Sequence, residues 1–145
     1  MKLGRLFAEE EKVAALVREV SQGLLDLDEF VLAKSPLELA KAEVIGRRIR
    51  RSCDQMNEHV HEAKKVIGAL MLEKSAVRFR GAEKALHEME SELAQIHGDI
   101  ESIGSLAESF YSAENREVVF QNLNAQYAQL MRHVMALMAT EAVLK

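Results

Sequence analysis

Any chemistry in this chain would have to come from its histidines, its acidic rows and one basic run. The histidines are His59, His61, His87, His97 and His133. Glu58 and His61 stand one helical turn apart, the Glu-x-x-His spacing with which di-iron bundles grip their metal. Such centres need that motif on two helices and two further inward glutamates. Here the motif occurs once, so solvated polar residues are the expected outcome. Asp54, Glu58 and Glu62 form an i, i+4, i+8 row. With a second helix this row could recruit a hard cation, but a salt-bridged, solvated face is the expectation for such a pattern. Arg47, Arg48, Arg50 and Arg51 form the basic run. Phosphate or RNA binding is its sharp interpretation. The run lacks interleaved aromatics, and 19 Lys+Arg against 23 Asp+Glu leave a net charge of −4. Nucleic acid is therefore not an expected partner, and the arginines should pair with Asp26, Asp28 and Glu29 across a hairpin.

Met131, Met135 and Met138 share a helical stripe beside His133. Methionines on such a stripe either fill a core or offer an adaptable docking surface for another helix. Met131, His133, Met135, Met138, Arg47, Arg50 and Arg51 are accordingly the partner-binding candidates. Cys53 is the lone cysteine, which excludes an intramolecular disulfide and fits a small buried hydrophobe. No serine or cysteine sits in a glycine-flanked elbow, and no glycine-rich phosphate loop is present. The residues do not predict an enzyme.

The elements that must carry these residues are helices. A chain of 145 residues and 16.3 kDa is one domain, residues 1–145, with room for a single core. One proline, seven glycines and no tryptophan argue against a sandwich or barrel, which needs frequent turns. Val13, Val17, Val20, Leu24, Leu27 and Val31 step by 4 and 3, giving a first helical seam that should stop at Lys34-Ser35-Pro36. Ser35, Pro36 and Glu38 then form the start signal of a second helix. Its seam runs Ala42, Gly46, Ile49, Cys53, Met56, Val60, Ala63, Ile67 and Leu70. A third seam, out of phase with the second, runs Phe79, Ala82, Leu86, Met89, Leu93, Ile96, Ile100, Ile103, Ala107 and Phe110. Between them a turn at residues 73–76 is expected in preference to one helix about 110 Å long. A cap in Ser112-Ala113-Glu114-Asn115 opens a fourth helix whose apolar face, residues 119–144, is wider than one seam. That excess width predicts contact with two neighbours or a second subunit, and so a homo-oligomer. The expected fold is all-α, an antiparallel bundle of four long helices. No apolar run approaches the roughly 18 residues of a membrane span. A reduced, cytoplasmic setting is expected.

Asp99-Ile100-Glu101-Ser102-Ile103-Gly104-Ser105-Leu106-Ala107 resembles the D-L-E-R-I-G-D-x-A signature near the end of the third helix of PhoU-like domains. Ser35-Pro36-Leu37-Glu38-Leu39-Ala40 is similar to the D-P-E-L-A that opens that family's second helix, and the helix order agrees over residues 12–144. The capped fourth helix resembles the segment that follows the signature in the PhoU-like tails of sodium–phosphate cotransporter proteins. The resemblance implies a three-helix core with an added C-terminal helix. It also implies a non-enzymatic regulatory role toward a phosphate transporter or its sensor kinase. Family members gather metal through carboxylates of this motif; by resemblance those here would be Asp99 and Glu101, joined by Asp54 and Glu58. Ser105 replaces the second acid and Ser102 the arginine, so weak divalent binding at most is expected and no resident cofactor. A general scaffold or chaperone bundle binding partner helices through the Met-rich fourth helix is the alternative. A metal-dependent four-helix enzyme is the remote third.

Overall fold

A computed structural model describes residues 2–73 and 80–145. Four helices account for most of them: α1 (Lys2–Asp28), α2 (Pro36–Leu72), α3 (Arg80–Ser109) and α4 (Arg116–Ala142), with a single 3₁₀ turn at Phe110–Ser112 before α4. No strand occurs among the described residues. The protein is an all-α bundle. Each helix runs antiparallel to the next. Arg5 meets Glu62 while Asp26 meets Arg48, Asn57 meets Glu101, and Asp99 meets His133 while Glu92 meets Thr140. Glu10 of α1 neighbours Glu141 of α4, and Leu25 shares a cavity with Phe120, so α4 closes the ring beside α1.

The seams build the core. Every member of the second seam is buried, as are the described members of the third and all of the first except Val31. Because α2 and α3 are separate antiparallel helices, the single long helix is excluded. The predicted turn lies mostly outside the described residues: α2 ends at Leu72 with Glu73 as its cap, while residues 74–76 and Phe79 are not among those described.

The ends follow from local chemistry. Ser35 caps α2, its hydroxyl accepting from the Glu38 amide at 3.1 Å and donating to the Glu38 carboxylate at 2.9 Å. This satisfies an amide that the first turn leaves without an intrahelical partner. Asn115 does the same for α4, accepting from the Val118 amide at 3.2 Å. The first helix stops earlier than its seam predicts, at Asp28. Turns follow in which Phe30 and Val31 fold back onto the core. Arg116, at the head of α4, donates to the Ala33 carbonyl and ties this turn to the far helix. Where α2 crosses α3 the backbones nearly touch. A Cβ at Gly46 would collide with the Ala107 carbonyl oxygen, so only glycine permits this approach.

Candidate functional site

The signature stretch on α3 divides its two acids between two neighbours. Residues two apart on a helix point about 200° from one another. Asp99 is buried and faces α4, where it pairs with Nδ1 of His133. Glu101 faces α2 and accepts from Asn57 Nδ2 at 2.7 Å. Asn57 in turn holds His97 at 3.0 Å. Glu101 and Asp54 do converge across α2 and α3, but on a cation the protein supplies. The Arg50 guanidinium lies 3.3 Å from Asp54, 3.8 Å from Glu101 and 3.8 Å from Glu108, and donates to the Ser105 hydroxyl at 3.5 Å. Gly104 leaves room for it, since a Cβ there would stand 3.0 Å from the Arg50 side chain. Ser105, where the resemblance leads one to expect an acid, thus serves an arginine. The four carboxylates expected from the resemblance do not gather: Asp99 points away, Asp54 and Glu101 flank Arg50, and Glu58 is exposed. Among the described residues no group of three or more potential ligands is placed to hold a metal ion.

The basic run does not form one surface. Arg48 crosses to Asp26 as expected, and together with Gln22 it holds that carboxyl below the usual carboxylate range. The remaining pairings across the hairpin are not made. Arg47 pairs with Glu43 within its own helix at 2.9 Å, Arg50 turns to α3, and Arg51 is exposed. Four arginines in five residues wrap around a helix, so they cannot share a partner face. Glu58 and His61 are both exposed, off the seam. Glu62 pairs with Arg5 at 3.2 Å and Lys65 at 3.4 Å, making its row the expected salt-bridged face. Cys53 is buried, and burial pushes its thiol up to about 12, leaving no thiolate for chemistry.

Two acids missed in the sequence are buried in α1. Glu9 Oε2 shares a hydrogen bond of 2.6 Å with His59 Nδ1, joining α1 to α2. Glu10, 5% exposed, has both carboxylate oxygens buried without a hydrogen-bond donor among the described residues. Burial, then the adjoining carboxyl of Glu141, push its pKa up to about 10. Glu10 therefore carries its proton at neutral pH and offers it toward Glu141. Glu141 is held by Lys145 at 3.0 Å, and Thr140 donates to Glu92 at 2.8 Å. A signal was present: the first seam, extended backward from Val13, passes over Glu10 and Glu9 before it reaches buried Leu6.

The methionines and His133 part company. His133 turns toward α3, into its pair with Asp99, and is not available as a docking residue. Met131, Met135 and Met138 lie on the opposite flank, toward α1. Met131 packs against the core, while Met135 and Met138 are 63% and 54% exposed. On this flank α1 and α4 enclose a half-open cavity of about 270 Å³ lined by Leu24, Leu25, Phe120 and Tyr127, with Ser21, Asp28 and Asn124 at its polar parts. Leu25 stands 65% exposed at its edge. On the other side of α4 a shallow groove of about 510 Å³ is lined by Glu101, Ser102, Ser105, Asn122 and Gln126 among others.

No protein-family model matches this sequence, and neither the curated proteins nor the solved structures include a match. No helix of the described residues is long and apolar enough to cross a membrane. The α1–α4 flank combines a cavity with exposed, flexible methionine side chains that can adapt to an inserted group.

Proposed function

We propose that this protein is a non-enzymatic interaction module that regulates a partner protein by docking one of its amphipathic helices along the α1–α4 flank. The carrying observation is the cavity walled by Leu24, Leu25, Phe120 and Tyr127, with Met135 and Met138 exposed further along the same flank of α4. A helix laid there would insert side chains at i, i+3 or i+4 and i+7, the usual mode for helix-in-groove recognition. The resemblance of residues 99–107 to PhoU-like domains supports a phosphate transporter or its sensor kinase as the partner, acting in the cytoplasm. The apolar width of α4 also supports self-association. The scaffold or chaperone alternative would use the same groove without regard to phosphate.

Capture experiments from cells grown at low and at high phosphate test this. The expected result is recovery of transport or sensor components with wild type, and their loss with Met135→Glu/Met138→Glu. Equal recovery by the charged variant would overturn the groove assignment. Recovery of unrelated helical proteins at both phosphate levels would favour the scaffold alternative.

A further inference from the structure

We propose that the outer face of α4 binds α4 of a second copy of this chain, antiparallel about a two-fold axis between Asn124 and Ala125, with Arg132 of each copy paired to Glu117 of the other. The face is short of charge. The charged residues that α4 exposes are Glu117 and Arg132, and neither makes an ion pair among the described residues. By contrast α3, a helix of similar length, exposes Glu83, Lys84, Glu88, Glu90, Glu101 and Glu108. The solvent side of a bundle helix normally carries several charges; on α4 the uncharged Gln121, Asn122, Asn124 and Gln129 are exposed in their place.

The two charges are opposite in sign and sit about 22 Å apart along the helix. A charge-free stretch separates them. Two such helices placed antiparallel bring each arginine to the partner's glutamate, and a two-fold axis makes the contact twice. A parallel arrangement would set arginine against arginine and glutamate against glutamate. Opposed helix dipoles also favour the antiparallel pair. Near the axis the facing residues are Ala125 and Ala128, opposite Asn124 and Gln121, and small side chains allow an interhelical distance near the short end of about 8–10 Å. One helix face makes a small interface, so the dimer is reversible.

This inference rests on the self-association part of the proposed function, and its surface adjoins the partner cavity at Asn124. Sedimentation across a concentration series tests it on the full chain. Wild type should dimerise; Arg132→Glu and Glu117→Arg should each weaken the dimer about tenfold through like-charge contacts, and the double exchange should restore it. Both positions are exposed, so folding is retained. A second measurement mixes Gln121→Cys protein with Ala128→Cys protein under mild oxidation; the buried Cys53 does not interfere. A disulfide between the two variants supports the register. A strict monomer at the highest concentration reached would overturn both this geometry and self-association. A dimer insensitive to the charge exchanges, with no cross-link, would overturn the geometry alone.

Discussion

Gly46 and Gly104 both lie where α2 meets α3, yet a methyl group should affect them differently. At Gly46 the added Cβ meets the Ala107 backbone carbonyl, which moves only if the helices separate. Gly46→Ala is expected to cost about 1–3 kcal/mol net of the helix-propensity gain of about 1 kcal/mol. At Gly104 the neighbour is the end of the Arg50 side chain, which can shift by a few tenths of an ångström. Gly104→Ala should therefore lie within about 1 kcal/mol of wild type. Denaturant unfolding of both variants checks this, and equal destabilisation would refute the distinction. Glu10 supplies the pH-dependent case. The folded chain keeps a proton up to about 10 that an ordinary carboxyl, at 4.5, releases far earlier. Stability from this group is thus fully present below 4.5 and declines as pH rises toward 10. Glu10→Gln, which cannot ionise, should flatten that decline and raise the melting temperature at pH 8. Parallel pH profiles for wild type and variant would show that the proton is not held.

At the scale of the helices, the caps set where each begins. Asn115 binds the Val118 amide, and Asn115→Ala should cost about 1 kcal/mol, with the loss confined to the first turn of α4. Unfolding curves give the cost and amide exchange the location; an unchanged first turn would argue against capping. These boundaries were legible because a cap is a local signal: the serine, the proline and the glutamate that receive the chain at α2 are adjacent in sequence. The seams were legible for the same reason, since a buried stripe imposes its 3.6 period on consecutive residues. The early end of α1 was not. Val31 fits the first seam's register, but what turns it back is packing onto the core and the reach of Arg116 from α4. The candidate sites were less legible still. Arg50 could be read as one of a run of arginines, but its partners Glu101, Ser105 and Glu108 arrive from α3. His133 adjoins the methionines in sequence yet faces away from them. Cross-helix pairing depends on rotation and register between helices, and a single helix's periodicity carries neither.

Across the whole molecule the four inter-helix seams are not equivalent, and this sets the order in which the bundle should open. The α2–α3 seam combines the close approach at Gly46 with the polar links of Arg50 and Asn57, and its central residues are fully buried. The α1–α4 seam contains a cavity, and its strongest polar feature is the crowded group of Glu10, Glu141 and Lys145 at one end. A cavity leaves lining atoms without dispersion partners, and a carboxyl without a donor adds a cost that opening to water relieves. Separation of α1 from α4 should therefore need less free energy than separation of α2 from α3. The expected pattern in native-state hydrogen exchange is two-tiered. Amides around Ile49–Val60 and Leu93–Ile103 should exchange only through global unfolding. Those around Ser21–Leu25 and Phe120–Tyr127 should exchange earlier, through a partial opening with a smaller denaturant dependence. Uniform protection in all four helices, with a single global denaturant slope, would show that the bundle opens as one unit. Filling the cavity offers the converse check. Ser21→Leu, placed in its lining, should raise protection along the α1–α4 seam and leave the α2–α3 core unchanged.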